Sequence, residues 1–187
     1  MVGTMRSRRR LERGATMIEV LVTIIIVAFG LLGMAGLQVR LQTAEMESYQ
    51  RSQALLLLND MANRMAANRN NIASYATGVT YGGTAACPTA VGTIVQRDLK
   101  EWCEALQGAG ETLGGSKVGA MIGGRGCVAA VGSDYMVTVA WQGLTPIVAP
   151  PASVTCGANQ YNSAGTPCVN DLCRRAITTL VRVGSLS

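Results

Sequence analysis

The run from Ala15 to Val39 constrains this chain more than any other feature. Its 25 residues carry a single ionisable side chain, Glu19. About 20 apolar residues are enough to cross the hydrocarbon core of a bilayer. In lipid only a helix satisfies its own backbone polar groups, so the run predicts a membrane-crossing helix. A carboxylate inside such a span costs roughly 2–3 kcal/mol or more, which makes it a functional candidate by default. Glu19 stands five residues after Gly14 and needs a reason to be there.

Charge gives the span its direction. Arg6, Arg8, Arg9, Arg10 and Arg13 against Glu12 place +4 of the chain's formal +5 in the first 14 residues. The basic residues therefore sit in a short tail before the apolar run and not on a folded face, so no nucleic acid is expected as a partner. By the positive-inside rule the N-terminus lies in the cytoplasm, and everything after Arg40 lies on the far side. The six cysteines Cys87, Cys103, Cys127, Cys156, Cys168 and Cys173 all fall in that exported part. An even count there points to disulfides.

The chain holds no histidine and no CxxC pair, so neither a zinc site nor any other metal or cofactor is expected. Without histidine there is no conventional Ser-His or Cys-His nucleophile and no HExxH frame. "GGSK" lacks the full phosphate-loop frame, and the exported carboxylates are scattered. The expectation is a protein that is not an enzyme.

Helical periodicity continues beyond the span. Leu37, Leu41, Ala44, Ser48, Leu55, Leu58, Met61 and Met65 recur mostly at three- and four-residue steps, and Glu45, Glu47, Gln50, Arg51, Asn59, Asp60 and Arg64 mostly take the other faces. No proline occurs before Pro88, so one helix is expected from about residue 16 to about residue 70. Gly30, Gly33 and Gly36 have two compatible readings: a small-residue packing face between membrane helices, or a weak point in the helix.

From Ile72 the composition shifts toward Gly, Thr, Ala, Ser and Asn. "QRDLKEWCEALQG" reads as a short helix with Leu99, Trp102, Cys103 and Leu106 inward. "GETLGGSKVGAMIGGRG" reads as a glycine-rich connection. "CVAAVG" and "DYMVTVAWQG" read as a hairpin, the second strand alternating with period two. A long loop with four prolines leads to a final strand in "CRRAITTLVRV". The expected class is α+β, a long N-terminal helix with a small antiparallel sheet as its head. The expected divisions are 1–14, a cytoplasmic leader; 15–39, the membrane half of the helix; 40–72, its amphipathic half; and 73–187, a disulfide-stapled head. Six cysteines allow fifteen connectivities; proximity in sequence favours Cys87–Cys103 and Cys156–Cys168, which leaves Cys127–Cys173.

The segment "GATMIEVL", Gly14 to Leu21, resembles the prepilin signature of type IV pilins and pseudopilins. Ordinary secretory signals place their cleavage site after the apolar region, not before it. The resemblance implies cleavage between Gly14 and Ala15 by a membrane prepilin peptidase and N-methylation of Ala15, which departs from the usual phenylalanine. It implies a role for Glu19 in setting the register between subunits, and a fold of the pilin kind. "TMIEVLVTIIIVAFGLLGMAGLQ", "VGAMIGGRGC", "VTVAWQG" and the terminal "CRR…VRV" further resemble the PilV-type minor pilins. The partners so implied are the prepilin peptidase, the inner membrane, other minor pilins, the major pilin and a large pilus-tip adhesin. In major pilins a proline loosens the helix near Gly36, and the three glycines can take that part here.

The expected function is that of a minor type IV pilin incorporated in a pilus or its tip complex. The alternatives are a minor pseudopilin of a type II secretion system, which shares the leader, and a signal-anchored periplasmic binding or adhesion domain. Twin-arginine export is a third, prompted by "SRRRLER". No A-x-A site follows the apolar run to support it.

Overall fold

The computed structural model describes residues 16–110, 112–114, 116–117 and 121–182. Helix α1 runs from Met17 to Ala67 and is followed by a 3-10 segment, Arg69–Tyr75. The other elements are β1 (Thr80–Gly82), α2 (Ile94–Leu106), β2 (Thr112–Leu113), β3 (Ser116–Lys117), β4 (Arg125–Val131), β5 (Asp134–Gln142) and β6 (Arg174–Val181). The architecture is α+β, with a four-stranded antiparallel sheet in the order β1-β4-β5-β6 and a separate β2-β3 pair. Two compact units divide at Gln42 and Thr43.

The first unit holds the apolar part of α1. Its side chains are exposed all round, Ile18 at 72%, Phe29 at 71% and Leu32 at 69% among them. An apolar helix this open in water would be strongly unfavourable. It is long and apolar enough to cross a membrane, with a mean hydropathy of 2.7 over its most apolar stretch. The one hydroxyl at mid-span, Thr23, donates to Val20 O at 2.8 Å and so costs the apolar surface little.

In the second unit α1 buries Gln50, Ala54, Leu58, Met61 and Met65, a stripe at helical spacing. The expected face is corrected here. Ala44, Ser48 and Leu55 are exposed, whereas Gln50, expected on a polar face, is 2% exposed. Four consecutive leucines, Leu55 to Leu58, make the periodicity ambiguous. Packing in the head's core buries Leu58, the innermost of the four at 4% exposed, and leaves Leu56 63% exposed.

Trp102 is the pivot of that packing. It is fully buried, and its indole N–H donates to Leu57 O at 2.9 Å. Helix α2 opens with a capping box in which Thr93 and Gln96 satisfy each other's backbone N–H groups. Its inward residues Leu99, Trp102, Cys103 and Leu106 are those expected from the sequence, with Val95 added. Under the Trp102 ring lies Gly126 of β4, where a Cβ would stand 2.2 Å from Cη2.

The hairpin β4–β5 turns at Gly132 and Ser133, and β6 pairs with β5 along its length. Two features were not legible beforehand. "TYG" pairs with β4 as the edge strand β1, and a two-residue hairpin, β2–β3, interrupts the glycine-rich connection. Strand β5 is also buried on both faces, from Val137 to Trp141. The cause is the proline-rich loop, which folds back over the outer face with Cys156 and Tyr161 buried. Arg174 holds it there. Its guanidinium donates to Val154 O at 2.6 Å and Cys156 O at 3.1 Å, and it pairs with Asp171 at 3.1 Å.

The disulfides are Cys87–Cys103, Cys127–Cys156 and Cys168–Cys173. The expected Cys156–Cys168 and Cys127–Cys173 pairs are therefore corrected. Folding the loop over the sheet carries Cys156 onto Cys127 of β4. Left-handed Asn170 and Asp171 then turn the chain so that Cys168 meets Cys173 across only five positions. Each bond joins cysteines that are consecutive in the chain; Cys156 was expected with Cys168, twelve positions on, but Cys168 is taken by Cys173, only five positions away.

Candidate functional site

Gly14 and Ala15, the expected cleavage and methylation positions, lie outside the described residues. Glu19 is the third residue of α1. Its N–H reaches Thr16 O at 3.0 Å and Thr16 Oγ1 at 3.4 Å, which makes Thr16 the cap of the helix. The T-x-x-E spacing of Thr16 and Glu19 is a local sequence signal for this start. A carboxylate in the first turn also faces the positive end of the helix dipole, a gain of about 0.3–1 kcal/mol. Glu19 thus has a local reason to be early in the helix. That gain is smaller than the cost of a charge in lipid, so it does not by itself account for the carboxylate. Glu19 is exposed and has no ion-pair partner among the described residues.

Gly30, Gly33 and Gly36 lie within unbroken helix, and a Cβ at any of them would meet nothing within 4 Å. Whatever weakness they confer does not take the form of a break. They leave a shallow, open stripe on an apolar surface.

Within the second unit two polar clusters lock α1 to the head. Glu47 accepts from Leu144 N at 3.2 Å, Thr145 Oγ1 at 3.3 Å and Arg175 Nη2 at 3.2 Å. The sequence placed Glu47 on a solvent face; it fastens the loop after β5. Further along, Arg64 is bound to Asp60 at 3.0 Å, Asp98 at 3.0 Å and Glu101 at 2.7 Å. Burial opposes its charge, but hydrogen bonds to Glu101, Asp60 and Asp98 outweigh it and hold the guanidinium's pKa above its ordinary value. Tyr75 completes that cluster, donating to Asp98 and accepting from Asn68 at 3.2 Å.

Burial, and then the bond to Asp98, push the Tyr75 phenol up to about 12. The folded head therefore favours the neutral phenol. The stability this confers is fully present below the unfolded pKa near 10 and is lost as pH rises through about 12. Unfolding free energies from urea denaturation, measured from pH 8 to 12, should fall by about 1–3 kcal/mol in this window through Tyr75. The Tyr75→Phe variant should show a correspondingly flatter profile. Burial raises Tyr161 as well, so the informative quantity is the difference between the two proteins.

No group of three or more potential metal ligands occurs among the described residues. Residues 36–107, from the last of the three glycines through α2, match the model of the Tt1218-like family, described as Type IV pilin Tt1218. The match covers less than half of the chain and supports a type IV pilin family. The long helix with its small antiparallel sheet is a pilin-like architecture. An apolar N-terminal helix fits a membrane-anchored pilus subunit. No curated protein and no solved structure matches the chain.

Proposed function

We propose that the chain is the precursor of a minor type IV pilin, with a structural rather than catalytic role. It is inserted with its N-terminus inside, trimmed between Gly14 and Ala15, methylated on the new amine, and assembled through α1 beside the major pilin and other minor pilins. The observation that carries this reading is the position of Glu19, five residues after Gly14 at the head of an exposed apolar helix. The match over residues 36–107 supports it from a stretch that excludes the leader.

Cleavage creates a cationic amine on Ala15 at the edge of the membrane. A neighbouring subunit, displaced along the filament, offers its Glu19 to that amine. In a medium of low dielectric an unpaired charge is costly and a pair is strongly favoured. The pair therefore selects one register between subunits. The resemblance to PilV-type sequences supports the minor role, and the three-disulfide head favours a pilus over a secretion pseudopilus.

Mass analysis of the mature N-terminus should find methylated Ala15. Gly14→Lys should block processing and remove the protein from pili. Glu19→Val should be processed normally yet fall at least tenfold in pilus incorporation. An intact leader on the assembled protein would defeat the pilin reading. Normal incorporation of Glu19→Val would defeat the account of the carboxylate alone.

A further inference from the structure

A cleft of about 360 Å³ opens between β1 and the turn that contains Cys156, lined by Thr80, Thr84, Arg125, Thr155, Gly157 and Gln160 among others. That is at the small end of the range for small-molecule sites. Its walls are tied together, since Cys127 of β4 is bonded to Cys156 and Gly82 of β1 pairs with Arg125.

Arg125 is held in place but not neutralised. Its Cζ stands 4.9 Å from the centre of the Tyr161 ring, a cation–π contact. Its Nη1 donates to Gly123 O at 3.1 Å, and the Tyr161 hydroxyl donates to the same carbonyl at 2.9 Å. Gly83, at φ +59°, lets the chain lie against the guanidinium; a Cβ there would stand 3.0 Å from Cζ. Among the described residues no carboxylate pairs with Arg125, whose hydrogen-bond partners are Gly123 O and the Tyr161 hydroxyl. The other arginines at the head's packing contacts, Arg64, Arg174 and Arg175, are all paired. A guanidinium held in a fixed plane without a carboxylate partner matches one.

We propose that this cleft binds an acidic sugar, with Arg125 taking its carboxylate. The other lining side chains decide for a sugar over an acidic peptide. Thr80, Thr84, Thr155 and Gln160 offer hydroxyls and an amide, partners for a ring of hydroxyls. The only apolar side chains are the methyl groups of Ala85 and Ala158. This site lies in the head and is independent of the assembly role of α1.

The test is ligand-observed NMR on the full chain in detergent, with glucuronate as probe and glucose and N-acetylglutamate as comparisons. Glucuronate should bind saturably, and glucose at least tenfold more weakly. Arg125→Gln should weaken glucuronate at least tenfold. Thr155→Glu places a rival carboxylate in the cleft from an exposed position and should abolish binding without changing the melting temperature; it decides the matter if Arg125→Gln fails to fold. Absence of saturable glucuronate binding overturns the proposal, as does unchanged binding in either folded variant. N-acetylglutamate binding as tightly as glucuronate overturns it too, and assigns the cleft to a protein carboxylate.

Discussion

Gly126→Val should destabilise the head by about 3 kcal/mol or more, at the upper end of what overpacking costs. The first atom added is already 2.2 Å from Trp102 Cη2 and 2.7 Å from a methyl of Leu106. Neither has room to yield. Trp102 is fully buried and its indole N–H is engaged with Leu57 O, so moving the ring breaks that bond and separates α2 from α1. Against a total stability of about 5–15 kcal/mol for a domain, this is a large fraction. Urea denaturation followed by tryptophan fluorescence reads it directly. Gly110→Ala serves as the comparison, because a Cβ there meets nothing within 4 Å, and its unfolding free energy should change by less than about 0.5 kcal/mol. Gly126→Ala combined with Trp102→Leu should cost less than the sum of the two changes, since the smaller ring site admits the added carbon. Strict additivity would show that Gly126 is not constrained by Trp102.

The second large effect is on the disulfide that holds the loop over the sheet. Cys127 and Cys156 are 29 positions apart, and on the chain-entropy model their bond contributes about 3.6 kcal/mol. Cys168 and Cys173 are five apart, which gives about 2 kcal/mol. Replacing both cysteines of the first pair with serine should therefore lower stability more than the same change in the second. It also uncovers Thr138 and Ala140 and loosens the cleft around Arg125, so glucuronate binding should weaken with it. Peptide mapping without reduction checks the pairing itself. A peptide joining Cys127 to Cys156 is expected, and one joining Cys127 to Cys173 would contradict the fold described above.

How much was readable beforehand differed from element to element, for physical reasons. Helix α2 was legible because its apolar residues recur at helical spacing within one short segment. The hairpin β4–β5 was legible because alternation and a Gly-Ser turn are local signals. Strand β1 was not, since three residues carry no periodicity and its partner in β4 lies more than forty positions away. The inward face of α1 was misread through the leucine run, where several registers satisfy the pattern equally well. Glu47 was assigned to solvent because a lone acid on a helix usually faces water. Nothing nearby in sequence announces Arg175, its partner 128 positions on.

The candidate assembly elements show the opposite balance. Gly14, Ala15, Glu19 and the three glycines came from the order of residues alone, and the structure added only Thr16 as the helix cap. By itself the sequence determined what depends on local order and on the solvent: an apolar span, a charge at a set distance from a glycine, and a long helix leading to a small sheet. Tertiary structure alone decided which face of α1 is buried, that Cys156 is carried back onto β4, and that a proline-rich loop closes over β5 and leaves Arg125 at a cleft beside Tyr161. Those outcomes depend on contacts between distant segments. The free energy that selects among them resides in packing and pairing that no local pattern encodes.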